Sequence, residues 1–386
     1  MSVPPLRDSV AEIDLDAIAA NTAALRARAG VPLIAVVKAD AYGHGAEAAS
    51  AACLEGGAEM LAVATVEEGQ LLRIAGVRVP ILLMLGVGDP AEARAAAEGD
   101  LQVAVWREDQ LDWLDDAGRG AHVGVQVKVD TGLTRLGVQP EDALELVRAA
   151  RARRGIRVEG VYTHLASSDE PDLALSHRQI ESFRAVLRAI DDPPRWQHAL
   201  ATAGILALPG EGAFTAVRPG LGLYGLHAAP HLAGVLPLRP ALALRSRLVR
   251  VVRVPLGTGV SYGHHYVTPS ERVIGTIPFG YADGLPRRGM GAHVLVRGRL
   301  SPVVGRVCMD LCMVDVTEVP DAREGDRVTF IGEDDGAVRT AQALAEELET
   351  INYEVVTNLH PRVPRVYRRG GRVVGTKTAA AGFVAS

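Results

Sequence analysis

Lysine is rare in this chain, and one lysine stands at the end of an apolar run. The 41 lysines and arginines include only three lysines, Lys38, Lys128 and Lys377. Lys38 follows the run Leu33–Val37 and precedes a glycine-containing turn in the stretch AVVKADAYGHG. A lysine in apolar surroundings can lose its proton and form a Schiff base, whereas an arginine stays charged. The stretch therefore favours a nucleophilic Lys38 over a lysine that extends from a strand end into solvent.

The second lysine lies in the stretch QVKVDTGLTRLG, which also contains Arg135. The run around Lys128 is apolar, and Arg135 follows a glycine turn. Two cations so close together would repel each other unless an anion or a chemical modification intervened. We therefore favour a functional pair here over an ordinary pair on the surface.

Polar residues also follow later apolar runs. His164 ends one of them, although a single histidine there can equally be a hydrogen-bonded packing residue. In the stretch AVRPGLGLYG, Gly220 and Gly222 would let backbone N–H groups approach an anion closely. Loops after the last two strands of a (β/α)8 barrel often bind phosphate, so Arg218 either binds that phosphate or points elsewhere in the barrel mouth.

Four of the eight tyrosines lie in stretches that could carry chemistry. Tyr42 sits in a glycine-flanked turn and could donate a hydrogen bond to a phosphate. Tyr262 lies between glycine turns in GVSYGHHY, Tyr281 lies in PFGYADG, and Tyr353 lies in INYEVV. Each could equally be an ordinary packing aromatic, and composition alone distinguishes none of them.

The elements that would position these residues alternate between short apolar runs and amphipathic segments as far as residue 225. Helical spacing predicts helices such as Pro140–Ala152 and Leu173–Ile190. Eight alternations favour a (β/α)8 barrel of the TIM type, with an open doubly wound sheet as the alternative. The eight predicted strands are Leu33–Val37, Met60–Ala64, Ile81–Leu85, Leu101–Val105, Val123–Val129, Val158–Thr163, Arg195–Ala199 and Phe214–Arg218.

After about residue 236 the pattern changes to β-branched residues between glycine and proline turns, which predicts a mostly-β domain. One helix, Thr340–Glu347, interrupts it. We therefore expect a barrel at 12–235 and a β domain at 236–386 that includes residues 1–11. The stretch VAEIDL could pair with either domain, and the segment from about Thr376 is predicted to be a poorly fixed tail.

Composition narrows the class of protein. A net charge of −5 and a pI of about 6.1 give no reason to expect nucleic acid as a partner. The N-terminus has no signal-peptide pattern, and no apolar stretch is long enough to span a membrane. Three cysteines, Cys53, Cys308 and Cys312, form no disulfide framework, so we expect a cytoplasmic protein with buried thiols and no metal site.

Taken together, these stretches resemble the alanine racemase family, pyridoxal-phosphate (PLP) enzymes built from a barrel and a β domain. The resemblance runs from about Ala11 to Tyr367. AVVKADAYGHG resembles the family's PLP-attachment signature, and the other motifs follow in the family's order: KVDTGLTRLG, VYTHLASSDE, VRPGLGLYG, GVSYGHHY, PFGYADGLPR, GRVCMD and NYEVVTNLHPRVPRVY.

The resemblance implies two catalytic bases, Lys38, which also holds PLP, and Tyr262, which comes from the second subunit of a homodimer. Arg218 would face the pyridine nitrogen, with His164 beside the ring and His198 behind Arg218. The remaining roles fall into three groups. The phosphate neighbours are Tyr42, Thr202, Gly220, Leu221 and Tyr353; the substrate carboxylate ligands are Arg135 and the backbone of Met309; and the supporting or entrance residues are Lys128, which the resemblance implies can be carbamylated, Asp310, Asp169, Tyr281, Arg287 and Arg306.

One departure from the family pattern is visible. Ala201 and Thr202 stand where the family usually has asparagine and serine. Thr202 can keep a hydroxyl hydrogen bond to the phosphate, but Ala201 cannot supply an amide.

The resemblance implies racemisation of alanine, with D-alanine supplied for peptidoglycan. Racemisation needs a base on each face of a planar intermediate, Lys38 for D-alanine and Tyr262 for L-alanine. His164 and Arg218 could lower the pKa of the phenol, and an arginine at the pyridine nitrogen would keep that nitrogen unprotonated. The alternatives are a related decarboxylase, a racemase of broader specificity that also accepts, for instance, serine, and a non-catalytic PLP-binding protein.

Overall fold

The structure is a computed structural model, and it describes residues 6–120, 122–208, 210–380 and 382–385. The chain divides into two compact units. The barrel unit comprises Ala17–Ala41 and Ala49–Arg239, and the β unit comprises the residues up to Asp16, Tyr42–Ala48 and the residues from Pro240 onward.

The barrel unit contains a seven-stranded parallel sheet in which neighbouring strands follow chain order from β2 to β8. Its strands are β2 Ile34–Val36, β3 Met60–Val63, β4 Ile81–Leu83, β5 Gln102–Val105, β6 Val123–Lys128, β7 Ile156–Tyr162 and β8 Trp196–His198. The helices along residues 15–207 are α1 Leu15–Ala29, α2 Lys38–Tyr42, α3 Ala46–Glu55, α4 Val66–Ile74, α5 Pro90–Glu98, α6 Glu108–Ala117, α7 Ala143–Ala152, α8 Ala174–Ala189 and α9 Thr202–Ala207.

Burial explains why these residues form these elements. Every residue of β2, β3 and β4 is buried, as expected for parallel strands covered on both faces. In α8, Ile180, Phe183 and Val186 are buried at helical spacing, so one stripe of this helix packs against the core. The helices predicted to begin at Pro140 and Leu173 begin at Ala143 and Ala174.

The predicted eighth strand, Phe214–Arg218, is wrong as a strand. Only two single bridges form there, His198 with Ala216 and Leu33 with Val217. These parallel bridges connect the segment to both edges of the sheet, and the N–H of Val36 also donates to the carbonyl of Pro219 at 3.0 Å, but no ladder of consecutive residue pairs forms among the described residues. The residue after the segment is a proline, which has no N–H group with which to continue a ladder.

The β unit is built on a twelve-stranded sheet and a separate two-stranded sheet. The strands of the large sheet are β1 Val10–Asp14, β9 Leu242–Arg247, β10 Arg250–Val254, β13 Arg272–Ile277, β14 His293–Val296, β15 Arg299–Val304, β16 Cys312–Asp315, β17 Arg327–Asp334, β18 Ala337–Arg339, β19 Arg365–Arg369, β20 Arg372–Thr378 and β21 Gly382–Ala385; β11 Gly259–Val260 and β12 Tyr266–Val267 form the small sheet. Neighbouring strands of the large sheet follow the order β10-β13-β16-β15-β14-β17-β9-β1-β19-β20-β21, with β18 paired to β17.

Two predictions for this unit need correction, and one open question is answered. The segment from Thr376 is not a loose tail, because β20 and β21 pair with each other and Lys377 forms an ion pair with Glu47 at 2.9 Å. A second helix, α11 Asn352–Thr357, joins the predicted one, α10 Ala341–Glu347. The stretch VAEIDL forms β1, which pairs with β9 and β19. A barrel with a separate mostly-β unit is thus confirmed.

The described residues contain neither a membrane-spanning helix nor a metal-binding cluster. No helix among them has the length and apolar character needed to span a membrane. No group of histidine, cysteine and acidic side chains in the described part of the chain could hold a metal ion. Cys53 and Cys312 are buried free thiols as predicted, whereas Cys308 is only half-buried.

Candidate active site

Lys38 lies two residues after the end of β2, the first strand of the barrel, on the carboxyl side where barrel enzymes gather their active sites. Its side chain is half-buried. Burial lowers the pKa of Lys38, and the nearby cations Arg135 and Arg218 lower it further, while Glu68 opposes them. A larger fraction of this amine is therefore neutral and nucleophilic than in an exposed lysine.

The backbone after Lys38 forms a left-handed turn, α2. Ala39, Asp40, Ala41 and Tyr42 have φ angles of 53°, 52°, 55° and 53°. Each L-residue in this region costs roughly 1–2 kcal/mol, so surrounding contacts must hold the turn. One such contact is the N–H of Ala39, which donates to Glu68 Oε1 at 2.7 Å.

Lys128, at the end of β6, is buried. Its Nζ lies 5.7 Å from the ring centroid of Tyr162. Burial lowers the pKa of Lys128 to about 8, with further lowering by Arg135 and Arg218 and an opposing contribution from Asp130. The repulsion that the sequence predicts between Lys128 and Arg135 is therefore present in the structure.

Arg218 is a buried cation held by three acceptors. It donates to His198 Nδ1, to His164 Nδ1 at 2.9 Å and to the carbonyl of Thr163 at 3.1 Å. Its guanidinium also lies 5.0 Å from the ring centroid of Tyr162. The structure therefore brings together Arg218, His164 and His198.

Electrostatics make this cluster an anion site. Burial and Arg218 lower the pKa of His164 and His198 well below the usual histidine range, so both rings are neutral near pH 7. Arg135 adds a positive charge that stays, because arginine cannot give up its proton. The site is thus suited to a molecule that carries phosphate and carboxylate groups.

The segment Phe214–Arg218 is followed by a glycine-containing turn, residues 220–222, whose backbone N–H groups meet the side chain of Thr202. Thr202 Oγ1 accepts hydrogen bonds from the N–H groups of Gly220 at 3.2 Å and Gly222 at 3.1 Å. A Cβ atom at Gly222 would lie 2.7 Å from Thr202 Cγ2, so only glycine allows this approach. Leu221 begins a buried 3₁₀ helix, and Ala201 caps α9 without a side-chain hydrogen bond. The hydroxyl hydrogen of Thr202 remains to donate to a ligand.

Replacing Thr202 by valine is expected to lower the free energy of unfolding by about 1–3 kcal/mol, because two buried N–H groups lose their acceptor. Serine at the same position keeps the hydroxyl and is the matched control. Urea unfolding of both variants would check this. Equal losses for valine and serine would show that the hydroxyl is not the stabilising group.

The β unit holds a second group of predicted residues. Tyr42 and Tyr353 have ring centroids 6.2 Å apart, with Tyr353 on α11. Tyr262 is 67% exposed, and the preceding Ser261 has a φ of 64° and donates to the carbonyl of Arg306 at 2.6 Å. Tyr262 is therefore largely exposed in the single chain.

The other predicted residues of the β unit are also accessible. Met309 is 52% exposed and Tyr281 is 40% exposed. Asp310 pairs with Arg362 at 2.8 Å. Arg287 is exposed, as is Asp169 in the barrel unit.

Sequence reasoning missed three residues that lie near Lys38, Lys128 or Arg218 in the barrel unit, namely Tyr162, Glu68 and Gln126. Tyr162 is fully buried between Lys128 and Arg218, and its hydroxyl has no hydrogen-bond partner among the described residues. Glu68 was detectable, because Thr65 and Glu68 form a capping box, a pattern visible in sequence. Gln126 showed no signal beyond being polar within an apolar run.

Comparison with known proteins gives a consistent result. Residues 13–228 match the family described as alanine racemase, N-terminal domain, and residues 241–367 match alanine racemase, C-terminal domain. An alanine racemase from Halothermothrix orenii is 41% identical over 372 residues, which cover 94% of this chain and 97% of that protein.

Solved structures agree. Alanine racemase from D-cycloserine-producing Streptomyces lavendulae is 42% identical with a TM-score of 0.89, covering 95% of this chain and 98% of that chain. Alanine racemase from Bacillus anthracis with bound L-Ala-P has a TM-score of 0.91 at 34% identity, covering 98% of this chain and 99% of that chain.

A parallel barrel with a lysine of lowered pKa after its first strand, joined in one chain to a β domain, defines the barrel class of PLP-dependent enzymes. Within this class, the chain belongs to the alanine racemase family. The resemblance noted in the sequence is confirmed.

The residues present fit PLP. The lysine of lowered pKa suits covalent attachment through Nζ, and the turn around Thr202 suits a phosphate. Arg218, held by neutral acceptors, suits a ring nitrogen that accepts a hydrogen bond. The buried Tyr162 hydroxyl without a partner also indicates that a polar group belongs nearby.

Proposed function

We propose that this chain is an alanine racemase that interconverts L-alanine and D-alanine with PLP as cofactor. The observation that carries this proposal is Lys38, a lysine of lowered pKa at the carboxyl end of the first barrel strand in a chain of this family. PLP, when bound, makes the Cα–H bond of an amino acid acidic by withdrawing its electrons. The protein must then supply proton carriers and orientation.

Lys38 and Tyr262 are the proposed proton carriers. Lys38 Nζ removes the Cα proton of D-alanine, and the Tyr262 hydroxyl returns a proton from the opposite face. The roles reverse for L-alanine. We assign to the network of Arg218 and His164 the task of orienting the Tyr262 phenol for this proton transfer.

A further set of residues is proposed to bind and orient the substrate and the cofactor. Arg135 holds the substrate carboxylate together with the backbone of Met309, so the carboxylate is retained. This retention favours racemisation over decarboxylation. Thr202, Gly220 and Leu221, with Tyr42 and Tyr353, are proposed to bind the phosphate.

We also propose that two copies of the chain form a homodimer in which Tyr262 acts in the partner's active site. The exposure of Tyr262 supports this, because a base left 67% exposed in one chain is free to act elsewhere. A cytoplasmic location suits the three free thiols, and the proposed product serves peptidoglycan synthesis.

Lys128 is proposed to react with carbon dioxide. The neutral amine attacks the carbon of CO₂ and loses a proton, which leaves an anionic carbamate that attracts Arg135. A pKa of about 8 makes a fraction of this amine neutral near pH 7. Enzyme supplied with ¹³C-bicarbonate is expected to show one carbamate signal by NMR. The signal should disappear in Lys128→Met and persist in Lys377→Met; persistence in Lys128→Met would contradict the proposal.

The test of the function is racemisation of purified enzyme with PLP, measured as D-alanine formed from L-alanine by chiral chromatography. A panel of other L-amino acids, including L-serine, measures breadth. Rapid conversion of alanine alone supports the proposal, and comparable rates on serine favour the racemase of broader specificity. Bound PLP without conversion of any amino acid would overturn it in favour of a binding protein.

A further inference from the structure

A buried amide inside the barrel has no part in the proposed reaction. Gln126 lies on β6, two residues before Lys128, so both side chains are on the same face of the strand. Gln126 is completely buried. Buried polar side chains are nearly always hydrogen-bonded, so the groups that bond to Gln126 indicate its role.

Gln126 connects directly to the histidine behind Arg218. Gln126 Oε1 lies 2.7 Å from His198 Nε2, and Gln126 Nε2 donates to Gln102 Oε1 at 2.8 Å. A hydrogen-bonded series therefore runs from Arg218 through His198 and Gln126 to Gln102.

Arg218 determines which group is the donor and which is the acceptor in every hydrogen bond of this series. A guanidinium has donors only, so His198 Nδ1 must be the acceptor of the bond from Arg218. In a neutral ring the proton then sits on Nε2, which donates to the oxygen of Gln126. The amide must consequently present its oxygen to His198 and its nitrogen to Gln102.

The backbone is shaped around this amide. A Cβ atom at residue 160 would lie 2.9 Å from Gln126 Oε1, so Gly160 leaves the necessary space. The pairing of β6 with β7 shifts register between Val125 and Gln126. The ring of His198 is also stacked on Tyr162, with centroids 4.8 Å apart and planes at 14°. The surroundings thus restrict both the amide and the imidazole.

We infer that Gln126 is a positioning residue that fixes the Nε2–H tautomer of His198 and so keeps a lone pair directed at Arg218. This inference rests on the proposed function for its effect on catalysis. Without the amide oxygen, the proton of His198 can move to Nδ1. The Nδ1–H group would then face an N–H group of Arg218, and the hydrogen bond between the two residues would be lost. The guanidinium would then lose an acceptor and shift from its place.

The test uses the full-length enzyme with PLP and two variants of nearly equal shape. Gln126→Met removes the acceptor oxygen. Gln126→Glu keeps an acceptor but adds a charge that favours a protonated His198. Gln102→Met is the matched control, because it changes the next amide in the series and leaves the bond between Gln126 and His198 in place.

The first measurement is ¹⁵N NMR of the His198 ring, with the signal assigned by its loss in His198→Asn. Wild type and Gln102→Met are expected to show the neutral Nε2–H tautomer. Gln126→Met should populate the Nδ1–H tautomer, and Gln126→Glu should give a protonated ring. A wild-type ring that carries its proton on Nδ1, or is charged, overturns the inference even if no variant folds.

The second measurement is kcat for alanine together with the visible absorbance maximum of the bound cofactor. For Gln126→Met we expect kcat to fall by about 10- to 100-fold, the loss typical when the hydrogen-bond partner behind a metal-bound histidine is removed, together with a shifted absorbance maximum. An unchanged tautomer with unchanged kcat in Gln126→Met overturns the inference. Absence of racemisation in wild type would instead refute the proposed function and leave the NMR result valid.

Discussion

Replacing Lys38 by alanine is expected to abolish both the visible absorbance of attached PLP and racemisation. The variant has no amine after the first barrel strand, so it cannot attach the cofactor or move the proton of D-alanine. Loss of the proton carrier alone is worth about 10²- to 10⁴-fold in rate. Absorbance spectra and D-alanine formation measure the two effects separately.

Two controls make the Lys38 result specific. Lys38→Arg keeps the positive charge but cannot form a Schiff base, so it should fail as well. Lys377→Met removes a lysine that is paired with Glu47 in the β unit, and its cofactor absorbance should be unchanged. Added methylamine should restore part of the activity of Lys38→Ala. An unaltered cofactor spectrum in that variant would show that Lys38 is not the attachment residue.

Replacing Tyr262 by phenylalanine is expected to leave the cofactor spectrum intact and to slow racemisation by about 10²- to 10⁴-fold. The variant loses the base on only one face of the substrate. The Cα hydrogens of L-alanine and D-alanine should therefore exchange with deuterated water at different rates. D-alanine should still exchange through Lys38, whereas L-alanine should exchange very slowly. Tyr266→Phe is the matched control, since this phenol bonds to Asp315 at 3.1 Å and has no proposed catalytic role.

Mixing two inactive variants tests whether the bases come from separate chains. A dimer of Lys38→Ala with Tyr262→Phe contains one site with both residues intact if sites are shared. Activity should therefore reappear on mixing. If each chain supplied both of its own bases, every site would keep one defect and the mixture would stay inactive. Near-wild-type rates in Tyr262→Phe alone would remove this tyrosine from the mechanism.

The positions of the barrel residues were largely predictable, because apolar runs reveal strands and strand ends carry active sites. Lys38 lies just beyond the end of the first strand as expected, whereas Lys128, predicted to lie inside the strand Val123–Val129, is the last residue of β6. The eighth strand was predicted from its apolar residues, but pairing depends on backbone donors that a proline interrupts. The β21 pairing was missed because small residues in TKTAAAGFVAS carry little hydrophobic signal, and only long-range pairing stabilises them.

Other features depend on three-dimensional neighbours and leave no local trace. The role of Gln126 depends on Arg218, which is 92 residues away, and follows from the direction of hydrogen bonds. The lowered pKa of Lys128 could be anticipated from its apolar run, but the contribution of Arg218 could not. The functions of Tyr262 and of the other site residues stay predictions until the variants are measured.

The left-handed turn after Lys38 has a consequence for making this protein by chemical synthesis. Four L-residues there adopt the left-handed conformation, which at the value for one residue given above costs about 4–8 kcal/mol of conformational free energy in total. Residues of mirror-image chirality favour positive φ, so D-alanine at positions 39 and 41 would adopt this turn without strain. A synthetic segment built in this way should be more rigid around Lys38, and its building block is the compound that we propose the enzyme makes.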